Sequence, residues 1–498
     1  MKNNKTSLNI WGIILLGGLV KGFAYHPFSF SFLLGWICLM PLIYSISQNQ
    51  RKYPFIEGYF FGVIFNFFGF YWIGLNSGTS SIIAYSSLVM AVLYLSIFWG
   101  ILTLFLSYFK GIEFKLIIFP FSLVILEWLR SLGPLGFSWS NLAMTQINFL
   151  QLMQVSEFLG SFGISFFVGV INIVFYLILF QKKYKLIFFF TFFIFIVFQW
   201  GEKKINYFNK YDNKIDVAII QPNIDPNLKW ISQNKGNVVN HLDSLLEVSL
   251  NMNVNLILFP EAAYPTYLRI DSSLKKKIQQ KVDSSGIPIL VGTIDKVKIN
   301  SEVKYFNSSI FFSPKKESKL YNKIFLVPFA EYVPFSENLS ILKKINFGQA
   351  NFTKGQNIAL FKIDSLNIGN VICYESSNPS LVSKFIRKGA NILAIQTNDG
   401  YLGESSGPYQ HFNIAKMRAI ENRVPIIRSG NTGISGLILP SGVSNKKIKL
   451  GRSSIIKVGT PIMKAGSFYT KYGDIFVLFC LLSIIIFYAC FKKDIYSC

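Results

Sequence analysis

Cysteine is scarce in the polar part of this sequence. Of five cysteines, Cys38, Cys480, Cys490 and Cys498 lie in apolar termini or in the tail, and Cys373 alone lies between them. The polar part therefore cannot form an internal disulfide, and no CxxC or Cys/His cluster has metal-ligand spacing. Acidic residues are also few, 25 Asp and Glu against 49 Lys and Arg, for a net charge of +24. Such an excess can signal nucleic acid. No Arg/Lys-aromatic stripe resembles a nucleic-acid platform, however, and Lys, Asn, Ile and Phe are abundant throughout, as a global bias would give. There is no internal repeat, no Walker loop and no dinucleotide fingerprint. No nucleic acid, metal or organic cofactor is expected.

What is abundant is apolar sequence. Hydrophobic residues make up 51% of 498, with 50 Phe, and the mean hydropathy is +0.40. That is membrane-protein composition, on a chain long enough for two or three domains. A bilayer core of ~30 Å takes ~20 apolar residues. Segments that could span it occur at 8–22, 28–46, 55–74, 82–108, 116–128, 162–180, 186–200 and 475–491. Basic residues cluster in alternate loops: Lys2 and Lys5, Arg51 and Lys52, Lys110 and Lys115, then Lys182, Lys183 and Lys185, then Lys492 and Lys493. The other loops carry only Lys21 and Arg130. The positive-inside rule then puts both termini in the cytoplasm and everything between the seventh and eighth segments outside it. Glu127 and Arg130, spaced i, i+3, could pair on one helix face, either as a functional pair or as a snorkelling one. The Gly- and Pro-punctuated stretch after them is expected at the outer interface.

From about 214 to 457 the pattern changes to short β-rich runs alternating with helical stretches, which suggests an α/β domain with helix-covered sheets. Strands are expected at 215–221, 254–259, 289–293, 309–312, 358–363, 368–373, 392–397, 425–429 and 435–439. Helices are expected at 237–250, 272–283, 379–388 and 408–422. The run LNIGNVICYES places Cys373 at the corner between a strand and a helix, where Asn378 and Pro379 suit an N-cap and first turn. A helix N-terminus at such a corner should lower a thiol's pKa. Taken alone, a buried structural cysteine fits as well. Glu261 follows the run NLILFP, and Lys323 lies in LYNKIFLVPFAEYVPF. Carboxyl ends of strands are where α/β sites form. A carboxylate that takes a thiol's proton and an ammonium that holds an oxyanion are the parts of acyl transfer through a thioester.

FPEAAYP, KIFLVPFAEYVPF and ICYES resemble the three signature segments of the nitrilase superfamily, which carry its Glu, Lys and Cys in that order. More narrowly, the chain is similar to the apolipoprotein N-acyltransferase family, whose members insert a periplasmic nitrilase-like domain between seven N-terminal transmembrane helices and one C-terminal helix. The resemblance implies a membrane domain of about eight helices plus a nitrilase-like αββα sandwich. The boundaries would be 1–205 for the N-terminal membrane domain, 214–457 for the catalytic domain and 474–491 for the last helix. It implies Glu261 as general base, Lys323 as oxyanion stabiliser and Cys373 as nucleophile. Glu331, Tyr374 and Glu375 would support the site, and Trp230 would stand on a mobile segment at the substrate entrance. The partners implied are a phospholipid acyl donor, through its sn-1 chain, and a diacylglyceryl apolipoprotein acceptor at the bacterial inner membrane. Asn398, Asp399, Arg418, Glu421, Arg423, Arg428 and Asn431 are expected to shape the fold, and His411 to be structural. Two departures from the family pattern occur. Tyr401 and Leu402 stand where it commonly has Trp and Phe, and Ser138 where it has Pro; both are expected to touch acyl-chain preference rather than chemistry. Two readings compete with acyl transfer to an amine: a membrane-anchored nitrilase-type amidohydrolase, and a transporter or receptor with an outer sensor domain.

Overall fold

The computed structural model describes residues 3–48, 52–299, 301–336 and 351–496. For 3–9 and 491–496 the description extends to the backbone alone. Lys2, Arg51 and Cys498, singled out in the sequence, lie outside the described residues. Contacts divide the chain into two units. One comprises 1–74, 84–205 and 472–498, the other 75–83 and 206–471.

The first unit is helical. Among the described residues four helices are long and apolar enough to cross a membrane: Pro54–Leu75, Ser81–Ser107, Ser156–Gln181 and Lys185–Asn209. Shorter apolar helical stretches are Ile10–Phe23, Ser31–Ser47 and Ile475–Cys490. The helix Ile112–Arg130 carries Glu113, Lys115, Glu127 and Arg130 within its 19 residues. The expected single segment at 28–46 is two helices, Ser31–Ile37 and Met40–Ser47, with Pro41 in the first turn of the second. Pro fits there because its missing N–H is one the first turn leaves unpaired anyway.

Two expectations for this unit change. Glu127 and Arg130 do not snorkel; both are buried with their charged atoms 3.8 Å apart, and the Leu142 amide donates to Glu127 Oε1 at 2.7 Å. That bond ties in the Gly- and Pro-punctuated stretch that follows, whose Trp139, Leu142, Ala143, Met144, Leu152 and Met153 are buried. Lys21, taken as a loop charge, lies in the helix Asn3–Phe23 and is fully buried. Its ammonium sits 3.8 Å from the Phe65 ring centroid and donates to Tyr25 Oη at 3.3 Å. A buried cation needs such partners, because desolvation alone would expel it. The two basic residues assigned by sequence to the charge-poor loops, Lys21 and Arg130, are thus both buried.

The second unit is a four-layer αββα sandwich. One sheet orders its strands β12-β1-β2-β3-β4-β5, the other β11-β10-β9-β8-β7-β6. In the first sheet the strands are β1 (Lys214–Gln221), β2 (Leu256–Leu258), β3 (Ile289–Ile299), β4 (Glu302–Phe312), β5 (Lys319–Asn322) and β12 (Ser454–Pro461). In the second they are β6 (Leu360–Ile363), β7 (Leu366–Ile372), β8 (Ile392–Thr397), β9 (Ile426–Gly430), β10 (Ser435–Ile438) and β11 (Lys447–Ile448). The twofold side-chain period of strands builds the layers. Val217, Ile219, Leu256, Leu258, Leu290 and Phe311 face the second sheet and meet Ile368, Ile372, Ile392, Ala394 and Ile427. Their neighbours Ala218, Ile220, Ile257, Phe259, Ile289, Val291, Ile310 and Phe312 point the other way, onto the helices Lys235–Leu250 and Ser272–Ser285. The helices Pro379–Arg387 and Ser406–Asn422 cover the second sheet. β1–β2–β3 and β7–β8–β9 run parallel. Their carboxyl ends therefore open on the same side of each sheet, which is where the acidic, basic and thiol groups fall.

Candidate active site

Three corners build the site, and each carries a strained residue. Glu261 leaves β2 just before Ala262, whose φ is +44°. Cys373 itself has φ +50°, at the point where β7 breaks into a 3-10 turn over Cys373–Ser377. Phe329, between Lys323 and Glu331, has φ +61°. Side chains other than Gly reach this region only when surrounding contacts force it, and such strain gathers at functional corners. At the first corner the force is close packing. A Cβ on Gly292 of β3 would lie 2.4 Å from the Pro260 carbonyl and 2.6 Å from Glu261 Cα. Only glycine lets β3 pass that close, and its carbonyl accepts from the Ala263 amide at 2.8 Å.

Glu261, Lys323 and Glu331 converge in one buried cluster. The Lys323 ammonium lies 2.9 Å from Glu331 Oε1 and 3.6 Å from Glu261 Oε1. Asn307 on β4 donates its amide to both carboxylates, at 2.7 Å to Glu261 and 2.8 Å to Glu331. Glu331 is itself fixed by the Val327 amide at 2.8 Å. Burial works against the Lys323 charge, but Glu331 and then Glu261 outweigh it and hold its pKa above the ordinary lysine value. Lys323 is thus a permanent cation.

The thiol behaves otherwise than the corner suggested. Burial, and then the Glu261 charge, push the Cys373 pKa up; Lys323 and a hydrogen bond from Thr397 oppose without prevailing. The expectation of a lowered thiol pKa is corrected here. Desolvation and a neighbouring carboxylate exceed what a helix N-terminus contributes. Cys373 rests as the thiol, beside a carboxylate able to take its proton.

A second network grips the other side of the cysteine. Asp399 Oδ1 lies 2.7 Å from His411 Nδ1 and accepts from Thr397 Oγ1 at 2.9 Å, while Asp399 Oδ2 accepts from Arg428 at 2.8 Å. Burial alone would raise the Asp399 pKa, yet His411 and Arg428 hold it well below the carboxylate range. His411 Nε2 lies 3.0 Å from Ser376 Oγ and 3.2 Å from the Cys373 carbonyl. Cys373, Asp399 and His411 present potential ligand atoms within 4.8 Å of one another. Since Asp399 is already engaged by Thr397, His411 and Arg428, the trio reads as a hydrogen-bonded brace rather than a metal centre. Of the other fold-shaping residues, Arg418 pairs with Glu421 at 3.0 Å, Arg423 donates to the Pro440 carbonyl at 2.9 Å, and Asn431 donates to Asn398 at 3.1 Å.

Glu375 is wholly buried two residues after the thiol. Its carboxylate accepts from the Ile372, Ile324 and Phe325 amides and from the Tyr321 hydroxyl, all within 3.1 Å. It ties the Lys323 segment to the Cys373 corner, and burial pushes its pKa up to about 7. Tyr374 stacks on Phe325 with ring centroids 5.3 Å apart. The sheets are bridged beneath the site: Ser309 on β4 donates to Gln396 on β8 at 2.5 Å, and Gln396 donates to the Phe259 carbonyl at 2.7 Å.

Trp230 is 42% exposed, on a segment after β1. Its indole is hydrogen-bonded to the Tyr401 hydroxyl, a contact Phe in that place could not make. Residues 75–83 close over the same region. The Ser77 amide donates to the Tyr401 carbonyl at 3.0 Å, and Asn227 donates to Ser77 Oγ at 3.1 Å. Tyr401, expected to bear on acyl-chain preference, also contacts Trp230. Beside Trp230, Lys229 is buried, its ammonium 5.9 Å from the indole centroid, and burial pushes its pKa down to about 8 against the pull of Glu261.

Fold and corner chemistry together define a carbon-nitrogen hydrolase domain, and the family model of that description matches residues 216–463. A second model, the apolipoprotein N-acyltransferase N-terminal domain, matches residues 17–174. The apolipoprotein N-acyltransferase of Rickettsia prowazekii is 30% identical, covering 95% of this chain and 97% of its own. That of Geobacter metallireducens is 29% identical, covering 90% of this chain and 89% of its own. Among solved structures, Saccharomyces cerevisiae Nit3 is 18% identical, with a TM-score of 0.39, over 50% of this chain and 91% of its own. The chain belongs to the apolipoprotein N-acyltransferase family.

Proposed function

We propose that this chain moves an acyl group from a membrane phospholipid onto the N-terminal amine of a diacylglyceryl-cysteine on lipoproteins, through a thioester on Cys373. The observation that carries the reading is the buried cluster in which Lys323 bridges Glu261 and Glu331 beside a cysteine held at a strained corner. Glu261 takes the thiol proton as Cys373 Sγ attacks the ester carbonyl, which we assign to the sn-1 chain. Lys323 neutralises the oxyanion. The lysophospholipid oxygen leaves with the proton from Glu261, and a thioester remains. The lipoprotein α-amine then attacks, gives its proton to Glu261, and expels the thiolate. A thiol whose pKa is raised suits this order, because the proton leaves only when a carbonyl carbon takes the electron pair. Glu331, Tyr374 and Glu375 keep these groups in place. The catalytic domain, 214–457, faces the outer side of the bacterial inner membrane, with both termini cytoplasmic. The membrane domain at 1–205 and the helix at 474–491 keep both lipid substrates in the bilayer plane.

Trp230 stands at the acyl entrance, held by Tyr401. Tyr401→Phe removes one hydrogen bond, worth about 1 kcal/mol. The expected result is a KM for phospholipid raised by about fivefold with kcat unchanged, read from initial rates over a lipid titration.

The function is tested on the purified protein. Incubation with phospholipid should add one acyl mass at Cys373, seen by intact mass and peptide mapping. A diacylated lipopeptide should then discharge it faster than water does and gain that mass. Absence of the adduct defeats the thioester reading, and equal discharge by water turns the assignment to an amidohydrolase.

A further inference from the structure

Thr397 ends β8, fully buried, and its hydroxyl has two acceptors within reach. Asp399 Oδ1 lies at 2.9 Å and Cys373 Sγ at 3.5 Å. A hydroxyl has one hydrogen, so it serves one acceptor at a time. While Cys373 is a thiol, the shorter bond to the carboxylate prevails. Once sulfur is an anion, both acceptors are charged, and the hydroxyl does more for the one with fewer other donors, since a bond to a charged group is about twice as strong as a neutral one. Asp399 can release this donor because Arg428 and His411 still hold it, at 2.8 and 2.7 Å. The hydroxyl needs only to rotate about its C–O bond, with no heavy atom displaced. We propose that Thr397 is a catalytic residue that donates its hydroxyl hydrogen to the Cys373 thiolate, both as the thiol loses its proton and as the thiolate departs from the second tetrahedral intermediate.

The role complements those of the other charged groups. Lys323 faces the oxyanion and the two carboxylates, and no other hydroxyl among the described residues contacts the sulfur. The sulfur is charged twice in each turnover, once entering and once leaving, so a donor that appears on demand lowers both barriers. A fixed cation in the same place would instead hold a resting thiolate open to oxidation.

The proposal rests on Cys373 as the nucleophile, and its test separates the two. The groups that act on the thiol are Glu261 after β2, Lys323 after β5 and Asp399 after β8, with His411 and Arg428 behind Asp399. The full chain in detergent is alkylated with iodoacetamide over a pH series, and modification of Cys373 is followed by peptide mass. No lipid is needed, so this readout stands whether or not the acyl assay succeeds on the wild type. Thr397→Val keeps the shape and removes the hydroxyl; Thr397→Ala removes it without crowding Asp399; Thr397→Ser keeps it. For both hydroxyl-free variants the alkylation midpoint should rise by about one to two pH units, the scale of one bond to a charged group. Thr397→Ser should stay within about a third of a unit of wild type. Wild-type midpoints in Val and Ala overturn the proposal. So does a Ser variant shifted as far as they are, since that would mean a packing effect. A merely structural role would lower the thermal midpoint of all three without moving the profile.

Discussion

Cys373→Ala is expected to acquire no acyl mass from phospholipid and to lose transfer by a factor on the order of 10⁴ or more, because the covalent route disappears and the remaining groups only position substrates. Its fold should persist. Among the side chain's described contacts is one weak hydrogen bond, from Thr397 at 3.5 Å, and alanine meets the same backbone strain at φ +50°. The thermal midpoint should therefore correspond to a stability change within about 1 kcal/mol. Intact mass, a lipopeptide transfer assay and a melting curve on the same preparation decide the matter. An adduct of unchanged yield on the alanine variant would sink the assignment of this residue.

Lys323→Met is expected to damage stability as well as rate. Glu261 and Glu331 share one Asn307 amide and one ammonium, and the ammonium is the only cation bonded to either among the described residues. Removing one partner of a buried charged set costs about 3–5 kcal/mol. The loss should depend on pH with a definite sign. Without the cation the two carboxylates repel, so one of them takes a raised pKa in the folded state. A carboxyl whose folded pKa lies above its unfolded value binds more protons when folded. The variant should consequently be most stable below about pH 4.3, the unfolded Glu value, and lose that stability as pH rises through the raised one. Melting curves between pH 4.5 and 8 test this: the deficit against wild type should be smallest at the acid end. A deficit independent of pH would mean that Lys323 packs rather than compensates charge. Transfer should meanwhile fall far beyond what the unfolded fraction explains, which activity at 10 °C, where the variant is folded, would separate.

The α/β domain was legible because short apolar, β-rich runs alternate with helical stretches, and the site because Glu261, Lys323 and Cys373 sit at or near the ends of such runs in segments that resemble a known family. The structure brings these three corners to one side of the sheets. Asn307 was not legible. It sits mid-strand in YFNSSIFF, and its partners come from segments 46 and 24 residues away; the only hint was a polar trio, Asn307-Ser308-Ser309, inside a run otherwise apolar. Thr397 was hidden for the same reason, since its importance depends on β8 lying parallel to β7, with Gln396 opposite Ile372. Lys21 was misread because hydropathy treats every lysine as wet. The direction of the Cys373 shift was misread because a corner's dipole is visible in sequence and its burial is not.

Nine residues give the catalytic unit an unusual birth order. Residues 75–83 belong to it by contact, yet they are synthesised before most of the membrane helices and long before Lys214 begins β1. A piece of chain cut at the boundaries that hydropathy suggests would lack its own Ser77, the partner of Tyr401 and Asn227. During synthesis the same segment must wait for its partners to arrive. The half of the molecule that performs chemistry is then finished only after the ribosome has completed nearly the whole chain, so an enzyme released early, without Tyr401 and the strands beyond it, has nothing to close.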